Sequence, residues 1–170
     1  LDLGLIGNGK SYLAATGAAR SYTAAALGVG AGNIYRIGGG GQTITLNSPA
    51  PANAGALVES LTPGTRLVVG GQLGNLNGGI DSFDLYTYTG GTVVSRSSSL
   101  VIRETSTATA GPLGIGGAVD IFGTLQVYDR ATFLNVAGTA NAYAVNIHPG
   151  AVLMLDNNAV DITNRWADSA

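Results

Sequence analysis

Along most of this chain, apolar residues come in short runs, many alternating with polar ones, and each run ends at Gly, Asn, Ser or Pro. The clearest are "QTITL" (42–46), "RLVVGG" (66–71), "GTVVS" (91–95), "SLVIRE" (99–104), "GAVDIF" (117–122), "GTLQVYD" (123–129), "ATFLNVAG" (131–138), "YAVNI" (143–147) and "AVLMLDN" (151–157). β-Branched or aliphatic residues at alternate positions, bounded by turn residues, predict strands with one buried face. After residue 40, the best candidate for a helix is "ANAGALVESL" (52–61), which predicts a short helical turn between Pro51 and Pro63. In "KSYLAATGAARSYTAAAL" (10–27) the alanines favour helix, whereas Gly17 and the Ser21-Tyr22-Thr23 cluster oppose it.

The runs also recur at a fixed distance. Ile44, Val69, Val94, Val119 and Val145 stand 25, 25, 25 and 26 residues apart, and a second series follows at Leu100, Leu125 and Val152. Two strands per period, repeating in phase, predict a solenoid. One coil alone cannot bury its apolar face; stacked coils give every inward aliphatic a like neighbour above and below. Their backbones then pair at about 4.8 Å per step. The expectation is an all-β parallel β-helix with about 25 residues per coil. Residues 33–170 hold the repeats, with "NSPAPANAGALVESLTPGTR" (47–66) as an insertion. For residues 1–32 two readings stay open, a first coil or a cap. Neither end shows a polar cap, and the chain opens at Leu1 rather than Met. The expectation is therefore a segment of a longer rod, or a unit that stacks on copies of itself.

Composition narrows the partners. Only 11% of the 170 residues are charged and the net charge is −2, which leaves no electrostatic footprint for nucleic acid. So few charges also permit self-association. There are no cysteines, excluding disulfides, thiolate metal sites and a Cys nucleophile. No apolar run approaches the roughly 18 residues of a membrane-spanning helix.

Several segments resemble the autotransporter-associated β-strand repeat of large exported bacterial proteins. They are "NIYRIGGGGQTITL" (33–46), "YTYTGGTVV" (86–94), "GPLGIGGAVDIFGTLQV" (111–127) and the closing "AVLMLDNNAVDITNRWADSA" (151–170). The resemblance implies a right-handed parallel β-helix on an extracellular, cell-surface stalk or passenger. The first 30 residues and the 47–66 stretch depart from the pattern.

Candidate chemistry is sparse. "GLIGNGKS" (4–11) matches the phosphate-binding loop G-x-x-x-x-G-K-[ST] through Gly4, Gly9, Lys10 and Ser11. Such a loop needs a buried strand before it and a helix after it, yet only three residues precede Gly4. The expectation is a Gly-rich turn. Asp81 with Asp84, and Asp156 with Asp161, are carboxylate pairs of the kind used in glycoside cleavage. Asp beside Asn and Gly more often caps turns, and Asp120 and Asp129 fall on outward or corner positions. His148, in "NIHPG", has no Ser or Asp partner in a recognisable frame and reads as a turn histidine. Calcium at Asp156, Asn157 and Asn158 lacks any supporting repeat pattern. No cofactor is expected. The aromatics Tyr35, Tyr86, Tyr88, Tyr128, Tyr143 and Trp166 either stack sugars or neighbouring rods on an exposed face, or complete the core at coil corners. If there is an interaction patch, it comprises Asp81, Asp84, Tyr86 and Tyr88.

The functional expectation is a structural, non-catalytic segment of an extracellular surface fibre or stalk. Its partners would be copies of itself or further repeats of the same long chain. The alternatives are an adhesin module binding glycan or another surface, then a polysaccharide-acting enzyme.

Overall fold

The computed structural model describes residues 1–46, 57–70, 79–82, 86–102, 113–128 and 144–156, with backbone alone for 79–82 and 128. The chain is a parallel β-solenoid. Its strands are β1 (Arg20–Tyr22), β2 (Ile34–Ile37), β3 (Ile44–Leu46), β4 (Arg66–Val69), β5 (Gly79–Ser82), β6 (Thr92–Val94), β7 (Ser99–Ile102), β8 (Val119–Ile121), β9 (Thr124–Tyr128), β10 (Val145–Ile147) and β11 (Val152–Asp156). They alternate between two sheets: a six-stranded one ordered β1-β3-β5-β7-β9-β11 and a five-stranded one ordered β2-β4-β6-β8-β10. Every strand pairing is parallel. Between the two sheets, residues 57–65, 86–91 and 113–118 run along a third side. There Thr87 N–H donates to the Leu57 carbonyl (3.2 Å) and Ile115 N–H to that of Tyr88 (3.0 Å).

The registers correct the period in detail. Leu67 pairs with Thr92, Thr92 with Val119 and Val119 with Val145, offsets of 25, 27 and 26 residues. Val69 does lie beside Val94, but Val94 lies beside Ile121 rather than Val119. Ile44 belongs to the other sheet, beside Ile80. Leu100 pairs with Leu125 as expected, yet Leu125 pairs with Leu153 and leaves Val152 facing outward. The physical reason is the corner joining the two sheets. It takes four residues at Ser95–Ser98, two at Phe122–Gly123 and four at His148–Ala151, so equal spacing in sequence is not equal register. The coil that carries residues 47–66 is also long, with Ile34 pairing Arg66, an offset of 32. No helix forms over 57–61. Leu57 points inward there, and the Glu59 carboxylate accepts the Thr65 (2.8 Å) and Thr89 (2.5 Å) N–H groups. Residues 52–56 lie outside the described ones.

Residues 1–27 make the first coil. Asp2 pairs with Gly28, Leu13 with Ile37 and Arg20 with Ile44, about one period apart. Leu3, Ala15 and Leu27 are buried, and the 3-10 turns at Leu3–Leu5 and Gly7–Gly9 run beside residues 28–31, where the Ala31 N–H donates to the Gly9 carbonyl at 2.8 Å. Arg36 Nη1 ties this coil to the next through the Gly9 (3.2 Å) and Ala31 (3.0 Å) carbonyls.

Alternation places the core. Val119 and Ile121 of β8 are fully buried and Asp120 between them faces out; Leu125 and Val127 of β9 repeat the pattern around Gln126. Gly91 leads into β6 at φ +87°, where a Cβ would also collide with the Ala118 carbonyl oxygen of the next coil. Only glycine serves both demands.

This arrangement predicts opposite outcomes for neighbouring truncations. Leu125→Ala opens a cavity in the core and lowers unfolding free energy by about 2–5 kcal/mol. Gln126→Ala, one residue on, changes it by no more than about 0.5 kcal/mol. Urea titrations of the two variants check both.

Candidate functional site

The outward positions of the five-stranded sheet line up as Arg36, Val68, Val93, Asp120 and Asn146, each beside the next. At the upper end of this column Asp120 Oδ1 accepts a hydrogen bond from Asn146 Nδ2 at 3.0 Å. His148 Nε2 lies 3.2 Å from the same oxygen. The His148 ring lies flat on Phe122, with centroids 3.8 Å apart and planes 11° apart. The sequence builds this locally. Asn146 is one coil after Asp120, and the residue after β10 stands over the residue after β8. His148 N–H continues the ladder onto the Ile121 carbonyl at 2.9 Å. The Asn146 and His148 hydrogen bonds hold the Asp120 carboxyl below its ordinary range, against a smaller upward push from burial. Positive charge on His148 and Arg66 adds to the lowering. About a third of each side chain of the His-Asp pair remains open to water, 34% and 33%.

Beside this cluster the short Phe122–Gly123 corner is recessed between two longer ones. The result is a groove of about 420 Å³ lined by Ser97, Ser98, Ser99, Phe122, Gly123, Thr124 and Gly150. Ser97 is held at φ +59° on its rim. The Ser98 Oγ is buried without a hydrogen-bond partner among the described residues, and packs against Gly70 one coil below. The groove offers hydroxyls, backbone amides and one aromatic edge, with no charged group in its lining. That suits a neutral, hydroxylated ligand better than an ion. Among the described residues no hydroxyl bonds to His148, so a Ser-His-Asp relay is not assembled.

Of the interaction patch expected at Asp81, Asp84, Tyr86 and Tyr88, the two tyrosines do not reach the surface. Tyr86 and Tyr88 are 1% and 0% exposed. Their alternation about Thr87 turns both rings into the core, where they stack at 6.1 Å, and the Tyr88 hydroxyl meets Thr92 Oγ1 at 2.6 Å. Tyr35 is buried likewise, donating to the Val58 carbonyl at 2.9 Å. These rings complete the core because one side of a narrow solenoid has room for large residues and a polar rim for their hydroxyls. Asp81 lies in β5 with only its backbone described; Asp84, Asp129, Tyr143, Asn157, Asn158, Asp161 and Trp166 lie outside the described residues. "GLIGNGKS" forms the two 3-10 turns of the first coil, and the Gly9 carbonyl is already taken by Arg36 and the Ala31 N–H. No helix follows Lys10, so nothing there gathers N–H groups around a phosphate.

Sequence reading missed the partner of His148. Asp120 is 28 residues upstream, one coil plus the corner, and only the coil register identifies it. It also missed Glu59. Burial pushes the Glu59 carboxyl up, but hydrogen bonds from the backbone and hydroxyls of Thr65 and Thr89 outweigh this and leave it lowered.

No protein-family model matches the chain, and neither the curated proteins nor the solved structures include a match. The class that the fold itself defines is that of β-solenoid proteins.

Both lowered carboxyls fix the sign of the acid response. A carboxyl depressed in the folded state adds stability above its ordinary range, about pH 4, and loses it as pH falls through the folded value. Unfolding free energy therefore drops below about pH 4. In Asp120→Asn and in Glu59→Gln that drop becomes shallower, which urea midpoints measured from about pH 6 to pH 2 will record.

Proposed function

We propose that the chain is a structural, non-catalytic rod element of an extracellular surface fibre or stalk, associating with copies of itself or with further coils. The observation that carries this reading is the pair of unbroken parallel ladders, β1 to β11 and β2 to β10, wound around one aliphatic core. Such a rod is stiff along its axis because each coil is bonded to the next at every strand. Its length is set by coil number alone, which suits a spacer. The sparse charge and the motif resemblance to exported repeat proteins support the surface setting.

A second reading has its own observation, the uncharged corner groove. A glycan-binding module would use its serine hydroxyls and the Phe122 edge.

Immunogold electron microscopy of cells producing the protein tests the first reading. Label along extended surface material is expected; label confined to the cell interior overturns it. Calorimetric titration with neutral cello- and chito-oligosaccharides tests the second. Binding that Phe122→Ala weakens by about tenfold or more, roughly one aromatic contact, would favour the module.

A further inference from the structure

The His148–Ala151 corner is a small unit whose side-chain hold on the coil below runs through one ring. Its turn is closed by the Ala151 N–H, which donates to the His148 carbonyl at 2.9 Å. Pro149 and Gly150 form its tip, with Gly150 at φ +83°. Two backbone rungs attach it to the coil below: His148 N–H on the Ile121 carbonyl and Val152 N–H on that of Gly123, both at 2.9 Å. The His148 ring adds its 3.2 Å contact with Asp120 Oδ1 and its 3.8 Å stack on Phe122. Phe122 and Gly150 both line the groove, so whatever holds His148 down also sets the rim of that groove.

Both contacts change with one proton. A neutral imidazole makes an ordinary hydrogen bond to the carboxylate and stacks on the phenyl ring as one aromatic on another. An imidazolium makes a charge-assisted hydrogen bond to Asp120 and lays a cation on the face of Phe122, and both contacts are then stronger. Asp120 supplies the counter-charge from β8, and Asn146, on the same oxygen, adds no charge. Among the described residues, Arg66 of β4 also acts on Asp120, with its Nε held by the Gly90 carbonyl at 3.2 Å. Arg96, exposed in the Ser95–Ser98 corner, stands two coils below His148, and Asp156 lies at the far end of β11. His148 is the one histidine of the chain. Apart from the terminal amine, in the first coil, no other group in the sequence ordinarily titrates between about pH 5.5 and pH 7.5.

We propose that His148 is a proton-operated latch: the protonated ring clamps the His148–Ala151 corner onto Phe122 and Asp120, and the neutral ring holds it less, so the rim of the groove loosens as pH rises. The charged form carries the extra contacts. The added hold is therefore present on the acid side of the ordinary histidine range, about pH 6.5, and is lost as pH rises past it. A third of each side chain is open to water, so the effect is that of a partly screened ion pair, about fivefold in the closing equilibrium of the corner.

Hydrogen exchange at the backbone N–H groups of His148, Ala151 and Val152 in the full 170-residue chain tests the latch. Each rate is divided by that of an unstructured peptide at the same pH. Protection is expected to be about fivefold higher at about pH 5.5 than at about pH 7.5. The Gly70 N–H, which donates to the Ile37 carbonyl three coils below His148, is expected to change by less than about twofold. His148→Gln keeps a donor for Asp120 but cannot titrate, and should bring the pH difference at the corner below about twofold. Asp120→Asn keeps the shape and removes the counter-charge, with the same result expected. Equal protection of the corner at the two pH values overturns the latch. So does a difference that persists at about twofold or more in either variant, or one that appears equally at Gly70. These measurements use neither glycan nor a second copy, so the latch fails separately from both functional readings above.

Discussion

Every part of this molecule depends on one packing constraint. An inward strand side chain has its like neighbours in the coils above and below. A single turn of some 26 residues has too little apolar area to repay the entropy of ordering it, so a coil is stable only as part of a stack. The parallel ladders are the backbone expression of the same requirement. Val69 beside Val94 beside Ile121, and Leu100 beside Leu125 beside Leu153, are columns in which each residue is both core and template.

That constraint also explains where polar chemistry is found. With the interior mostly filled by aliphatic columns and a few tyrosines, most polar groups stand on the outer face, the corners and the third side. On the outer face they form columns too, and the Asp120–Asn146 contact is a polar rung of the same kind. At the corners, a change of two residues in length is enough to create a recess, because the neighbouring corners keep their reach. On the third side Glu59 takes the place of a strand partner by accepting two backbone N–H groups, one from its own coil and one from the next.

The ends carry the remaining consequence. A stack must stop somewhere, and the last layer of inward side chains is then exposed to water. In the first coil Leu3, Ala15 and Leu27 are buried, and its strand β1 is short, with Arg20 exposed. At β10 and β11 the inward Ile147 and Leu155 are about half exposed, while Val145 and Leu153 pack against the core.

The sequence by itself determined the fold class, the approximate period and most strands, because alternation and glycine-marked corners are local signals that need no tertiary information. It also determined that "GLIGNGKS" lacks the surroundings of a phosphate loop. The tertiary structure alone decided the register, since corners of two or four residues slip the count by amounts no regular spacing reveals. Through the register it decided the rest. Tyr86 and Tyr88 became core because the third side turns their shared face inward. Arg20–Tyr22 became a strand, against its alanine-rich surroundings, because Ile44–Leu46 lies beside it. His148 gained Asp120 and Phe122 because one coil of chain separates them in sequence, while only the height of one coil separates them in space.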